Sequence, residues 1–243
     1  MELRRVLSLV RKACDDYEMI ADGDRIAVGI SGGKDSLTLL YALAELRRFY
    51  PHRFELFAVT VDLGWEGFDL SPIQNFCDAH DVSYHIVKTD IYDVVFNVRK
   101  ESNPCSLCAK MRKGALNAYL VENNIRKIAY AHHMDDVVDT MMMSLIFEGR
   151  INTFSPVTFL DRMGVTVIRP LLYMNESDVV GFTNKYDLPV VKSPCPVDKY
   201  TQREYAKELV LSINREHPGA KDRMFTAIKN SSLKGWNKNG ESK

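Results

Sequence analysis

Residues 25–30 read RIAVGI, and SGGKDS follows at once as residues 31–36. An apolar run that ends in a glycine loop and opens a helix leaves few folds available. The run is a buried strand, and Leu37 to Phe49 is an apolar-rich helix that stops before Pro51. The alternation then recurs. FELFAVTVDLG, SYHIVKTD, KIAYAH and VTVIRP read as further strands. Between them lie three helical stretches. One opens at Ser71, read as N-cap with Pro72 at the first helical position, and runs to about His80. The others are Cys105 to Asn124 and Asp135 to Phe147, the last with Val137, Val138, Met141, Met142, Leu145 and Ile146 as its core face.

Residues 3–20 carry a helical stripe, and NESDVVGFTNKY is a helix capped at Asn175. LPVV reads as a short strand. Tyr200 to Lys229 reads as two helices broken near His217-Pro218-Gly219, and Lys234 to Lys243 as a frayed end. Strands alternating with helices place the chain in the α/β class. A mostly parallel sheet with helices on both faces is expected, followed by a helical C-terminal segment. In such sheets ligands bind outside the carboxyl ends of the strands.

The 243 residues are 46% hydrophobic and 26% charged, enough for a packed core and against disorder. No apolar run approaches the ~20 residues that span a bilayer. The first twenty residues mix acids among apolar positions, unlike a signal peptide, so a cytoplasmic location is expected. Net charge is zero but unevenly spread. Asp62 to Val95 holds seven acids and one base, whereas Asn97 to Lys127 holds seven bases and two acids. Lys192 to Lys243 holds eleven bases and six acids. Two basic segments suit a polyanionic partner, or simply a solvated lysine-rich surface.

The loop SGGKDS lies where the first strand becomes a helix. A helix start presents unpaired N–H groups and partial positive charge; glycines allow close approach, and Lys34 adds a full charge. The loop is a phosphate cradle. It lacks the G-x-x-x-x-G-K-[ST] spacing of the mononucleotide P-loop. YAHHMDDVVDT makes a second strand end with His132, Asp135 and Asp136 at a helix start. Two acids there suit Mg²⁺, which takes carboxylates plus phosphate oxygens, although one of them could be an N-cap.

Five cysteines are present. Cys14 and Cys77 sit in helical patterns as small buried hydrophobes. Cys105 and Cys108 form C-x-x-C at a helix start, where the dipole, Arg112 and Lys113 would favour thiolates. Cys195 lies between two prolines in KSPCPVDKYTQRE. Zinc, a redox pair, chance burial and a three-thiolate [4Fe–4S] cluster all remain open on the residues alone.

The string SGGKDS resembles the signature of the PP-loop ATP pyrophosphatases, also called adenine nucleotide α-hydrolase-like. C-x-x-C, then H-H-x-D-D, then a late cysteine before Gln202-Arg203 narrows the resemblance to the tRNA 2-thiocytidine synthetase group, relatives of the tRNA 2-thiouridine synthetases. The resemblance covers roughly residues 1–232. It implies a PP-loop ATP-binding domain over residues 24–192, after an N-terminal helix at 1–23. The helical segment 193–243 would complete a cluster site. Ser31, Gly32, Gly33, Lys34, Asp35 and Ser36 would hold the pyrophosphate end of ATP. Val61, Asp62, Ala131 and His132 would complete the nucleotide site. Asp35, Asp135 and Asp136 would serve Mg²⁺, and Cys105, Cys108 and Cys195 a [4Fe–4S] cluster.

The implied reaction adenylates a tRNA base carbonyl, most simply C2 of a cytidine, releases pyrophosphate and replaces the oxygen by sulfur. Lys34, Asp35, Arg112, Asp135 and Asp136 would be its catalytic residues, with Arg112 steadying the oxyanion. Expected partners are tRNA and a sulfur donor, either free sulfide or a cysteine desulfurase product. A homodimer is compatible with the sequence. The alternatives are thiolation of a tRNA uridine and a ligase of the lysidine-synthetase type. The chain departs from the pattern in three places. Ala131 replaces a glycine, Cys195 stands where some relatives have a second C-x-x-C, and there are no terminal zinc-finger cysteines.

Overall fold

The structure is a computed structural model that describes residues 1–65, 67–99, 104–191, 195 and 202–237. The proline-flanked turn on either side of Cys195, the start of the tail at Tyr200 and the last residues of the chain, 238–243, lie outside the described residues.

Six strands form one sheet: β1 (Asp24–Gly29), β2 (Phe54–Asp62), β3 (Ser83–Lys88), β4 (Lys127–Ala129), β5 (Val157–Leu160) and β6 (Val165–Ile168). Their order is β3-β2-β1-β4-β6-β5. All neighbours pair in parallel except β5 with β6, which is antiparallel. The chain winds outward from β1 to β3 and then returns to lay β4 on the other side of β1. The crevice between the carboxyl ends of β1 and β4 is therefore a switch point, where open α/β sheets bind ligands.

The helices are α1 (Leu3–Asp16), α2 (Lys34–Leu46), α3 (Ser71–Ala79), α4 (Pro104–Glu122), α5 (Met134–Glu148), α6 (Glu176–Lys185), α7 (Gln202–Glu216) and α8 (Ala220–Lys229). A π-helical turn, Asp93–Val98, precedes α4. Alternate strand residues feed two cores. Ile26, Val28, Leu56 and Ala58 join the larger one, with α1, α2, α3, α5 and α6. Ala27, Val59, Ile128 and Val167 face the smaller one, which α4 closes with Leu116 and Leu120. Burial on both faces explains why the strands read as continuous apolar runs. Val210, Phe225, Ile228 and Trp236 from the C-terminal segment pack into the larger core.

Several local expectations are corrected. Ser71 is the first helical residue and Leu70 the N-cap; Asp69 Oδ1 accepts the Ser71 N–H at 2.9 Å instead. LPVV forms no strand. Pro189 has no N–H to give a ladder, and the Val191 N–H goes to the Gly32 carbonyl at 2.9 Å. The edge strand β5 escaped notice because it is four residues long and Phe159 on it is exposed. Helix α5 begins at Met134, with His133 as N-cap and the Asp136 carboxylate accepting the His133 N–H at 3.0 Å. Leu145 and Ile146, expected in the core, are exposed.

Trp236 is fully buried, meets Tyr17 and Phe225 edge-on at 6.0 and 5.8 Å, and donates Nε1 to the Phe154 carbonyl at 3.2 Å. Trp236→Ala should cost about 3–5 kcal/mol of unfolding free energy, read by urea denaturation. A loss below about 1 kcal/mol would show that the tail contributes no core.

Candidate active site

Loop 31–36 folds on itself through its own serines. Ser36 Oγ donates to the Gly33 carbonyl at 2.9 Å, and the Gly33 N–H reaches Ser31 Oγ at 3.3 Å. Gly32 has φ +83°, and a Cβ there would meet the Val191 carbonyl at 3.1 Å, so glycine is required. Helix α2 has no side-chain cap, which leaves its first N–H groups to a ligand.

Two cavities meet at this loop. The smaller, about 250 Å³, lies between Ser31, Gly33, Val61, Leu63, Trp65 and Phe68. The larger, about 650 Å³, is lined by Ser31, Asp35, Ser36, Ala131, His132 and Asp136, with Lys113 and Arg203 beside them. Val61 and Arg112 line both. Of the residues expected from sequence to serve ATP, Mg²⁺ or catalysis, Gly32, Lys34, Asp62 and Asp135 do not line either cavity. Asp62 Oδ1 closes a turn by accepting the Gly64 N–H at 3.0 Å. Lys34 Nζ stands 3.1 Å from Asp35 and 3.4 Å from Glu176, which Lys207 holds in turn at 2.9 Å.

Asp135 and Asp136 are adjacent in sequence but serve different contacts. Asp135 is buried, pairs with Lys221 of α8 and accepts the Glu176 N–H at 2.7 Å. Burial alone would raise its carboxyl. His133 close by, Lys221 and the Glu176 N–H outweigh that and hold it well below the usual carboxylate range. Asp136 faces the larger cavity and receives Arg203 of α7 at 3.0 Å. His133 stands among three carboxylates, 3.7 Å from Asp35 and 3.5 Å from both Asp135 and Asp136. Burial would lower its pKa, but these acids raise it. Asp35 Oδ1 is buried with no hydrogen-bond partner. Among the described residues no group of three or more His, Cys, Asp or Glu side chains is drawn together to hold a metal ion.

Cys105 is exposed, Cys108 half-buried and Cys195 exposed. Burial above all raises the Cys108 pKa, and Cys195 and Cys105 raise it further, so the distant Cys195 is near enough to Cys108 to act on it. Arg112, one helical turn on, pulls it down but does not win. The expectation that helix start and nearby bases yield a ready thiolate is therefore corrected for Cys108. Ala109 lines the larger cavity, which puts the cysteine turn of α4 at its rim. Cys14 and Cys77 are buried, and burial pushes the Cys77 thiol up to about 12.

His133, Glu176, Arg203, Lys207 and Lys221 were not singled out from sequence. His133 is the second member of a visible doublet, and Arg203 stood out only as a landmark beside Gln202. The others are ordinary charged helix residues until α6, α7 and α8 pack.

A glycine–serine loop at the switch point of a parallel sheet, with acids across the crevice, defines a nucleotide-binding enzyme of the PP-loop class. A profile described as a PP-loop domain matches residues 4–212. The tRNA-cytidine(32) 2-sulfurtransferase of Citrifermentans bemidjiense is 37% identical over 229 residues, covering 93% of this chain and 90% of that protein. The one from Geotalea daltonii is 39% identical over 230 residues, covering 93% and 91%. Among solved structures, the U34-tRNA thiolase NcsA from Methanococcus maripaludis with its [4Fe–4S] cluster superposes with TM-score 0.73 at 27% identity. It covers 91% of this chain and 76% of that one. This chain belongs to the PP-loop ATP pyrophosphatase family, in its tRNA 2-thiocytidine synthetase group. Among the described residues no helix is long and apolar enough to cross a membrane.

Asp139 gives the site a measurable pH signature. It is buried on α5, and burial, Asp135 and Asp136 push its carboxyl up to about 7 against the pull of Arg203 and Lys207. The folded state therefore holds a proton that the unfolded chain releases near pH 4. That contribution to stability is complete below pH 4 and is lost as pH rises through about 7. Asp139→Asn should remove the loss, so its advantage over wild type should grow from pH 5 to pH 8 by ~2.5 kcal/mol, about two pH units of the loss. Denaturation at several pH values measures it; parallel curves would refute it.

Proposed function

We propose that this chain is an ATP-dependent, iron–sulfur-dependent tRNA sulfurtransferase that replaces the C2 oxygen of a cytidine by sulfur, position 32 being the one in its relatives' names. The reading is supported by Cys195, from a distant part of the chain, acting on Cys108 of the C-x-x-C pair, whose helix turn borders a nucleotide-sized cavity. A pyrophosphatase without sulfur chemistry has no use for these thiols.

The flat apolar walls of the smaller cavity, Val61, Leu63, Trp65 and Phe68, suit the adenine of ATP. The triphosphate then runs over loop 31–36 into the larger cavity. There the N–H groups opening α2, with Lys34, receive the pyrophosphate. The target O2 forms a bond to the α phosphorus while the bond to the bridging oxygen of the pyrophosphate breaks. Sulfur next forms a bond to C2, and AMP leaves with the oxygen. Arg112 lines both cavities and steadies negative charge at the reacting base.

Mg²⁺ takes one or two carboxylates and completes its shell with phosphate and water, so a protein need not supply three ligands. Asp35, with an unpartnered Oδ1, and Asp136 fit that role. Asp135 anchors α8 instead. A [4Fe–4S] cluster is ligated through separate irons, so its thiolates do not converge on one point, and Cys105, Cys108 and Cys195 fit as its three ligands. When bound, the cluster holds the sulfur that enters the base. The sulfur enters at the sulfide level, either as free sulfide or as cysteine-desulfurase persulfide sulfur reduced by a thiol that ends as a disulfide. The basic runs around α4 and along α7 and α8 hold the tRNA backbone.

Nucleoside mass spectrometry of tRNA incubated with anaerobically purified protein, ATP and sulfide should show 2-thiocytidine; 2-thiouridine alone, or no thiolated nucleoside, would overturn the reading. Cys105→Ala, Cys108→Ala and Cys195→Ala should each abolish thiolation and visible-region absorbance while leaving ATP affinity within about twofold of wild type. Thiolation by a colourless variant would reject the cluster. Lys34→Ala should lower kcat by ~10²–10³, the usual effect of losing one preorganised donor to developing charge. An unchanged pyrophosphate release rate would remove Lys34 from the reaction.

A further inference from the structure

Arg169 has no part in the chemistry above. It directly follows β6 at the carboxyl edge of the sheet and is only 8% exposed. Its guanidinium lies over Phe154, Cζ 4.8 Å from the ring centre. Nη1 donates to the Ser155 carbonyl at 2.5 Å and to Thr158 Oγ1 at 3.1 Å. Nε is buried with no partner. Among the described residues, Tyr130 offsets part of its burial. Burial pushes its pKa down to about 10, so it is still a cation at neutral pH. A buried cation with a donor to spare is costly unless a ligand completes it.

The ligand has a place to sit. Arg169, Tyr130 and His132 line the larger cavity together. The His132 ring is 5.9 Å from Tyr130 and 4.8 Å from Phe154. His132 Nδ1 is likewise buried without a partner, and burial with Arg169 nearby drops its pKa to about 4, leaving it neutral. The cavity thus carries, besides the phosphate loop, aromatic rings with two unsatisfied nitrogens.

We propose that the aromatic wall of this cavity receives the unstacked target pyrimidine of the tRNA and that Arg169 reads its acceptor edge; this rests on the thiolation reading above. Cytosine presents O2 and N3 as adjacent acceptors, whereas uracil presents a donor at N3. With Nη1 committed to Ser155 and Thr158, the Nε–Nη2 edge offers two parallel donors. That edge complements cytosine and opposes the N3–H of uracil. O2 keeps its second lone pair for the α phosphorus. Tyr130 and His132 supply the rings against which a splayed base packs.

The test compares wild type with Arg169→Gln and Arg169→Lys. The readouts are ATP binding without tRNA, tRNA-dependent pyrophosphate release, and binding of tRNA carrying fluorescent pyrrolocytidine at position 32. Arg169→Gln should lower kcat/KM for tRNA by ~10- to 100-fold, the range for losing hydrogen bonds to a charged donor. It should also shrink the preference for cytidine over uridine at that position and abolish the fluorescence change on binding. ATP affinity should stay within about twofold of wild type. Arg169→Lys keeps the charge without the planar fork, should show the same loss of preference, and carries the test if the glutamine variant fails to fold. Weakened ATP binding without tRNA would make Arg169 a phosphate ligand and overturn the proposal. An unchanged cytidine preference with unchanged fluorescence would overturn it alone. A wild type inactive on every tRNA would instead overturn the functional reading and this pocket with it.

Discussion

The Asp135 carboxylate is the contact on which the rest of the site depends. It is buried, pairs with Lys221 and takes the first N–H of α6 through Glu176. One side chain thereby joins α5, α6 and α8 beneath the crevice. Removing either partner of such a pair leaves an uncompensated buried charge, which is far worse than never having built it. Because Asp135 is committed in this way, its neighbour Asp136 is left to face the cavity, and Glu176 is placed where it meets Lys34. The acids and bases around the phosphate loop therefore form one connected set. Lys34, Glu176 and Lys207 continue it into α7.

The sheet divides the work between its faces. The larger core takes most of the helices and the docked tail, and packs against α2 and α5 where they begin at the crevice. The smaller core is closed by α4. The same helix carries Cys105 and Cys108 in its first turn and Arg112 one turn later, so its packing through Leu116 and Leu120 aims the cysteine turn at the cavity rim. Side chains on one helix face keep a fixed relation to one another, and that relation places the cysteine turn beside the cavity that loop 31–36 lines.

Much of this was legible along the chain. The strands stood out because parallel strands buried on both faces are short continuous apolar runs. The phosphate loop stood out because a glycine loop at a strand end has a mechanical reason to exist. The misreadings share a cause. LPVV and β5 are too short for periodicity to decide, and their state depends on what lies alongside: Gly32 in one case, β6 in the other. Leu145 and Ile146 continue a core stripe that α5 outlasts, since the core ends before the helix does. Ser71 lost the cap to Leu70 because Asp69 already satisfied the Ser71 N–H.

The local order of residue types by itself determined the α/β class, the loop that cradles phosphate, the acidic helix start and the family. Each depends on neighbours within a few residues, where spacing alone sets geometry. Only the tertiary structure decided the division of Asp135 from Asp136, the return of Lys207, Lys221 and Arg203 to the loop, the approach of Cys195 to Cys108, and the unpartnered nitrogens of Arg169 and His132. Those contacts join residues far apart in the chain, and burial, which sets the cost of leaving a charge or a donor unpaired, exists only once the helices have packed.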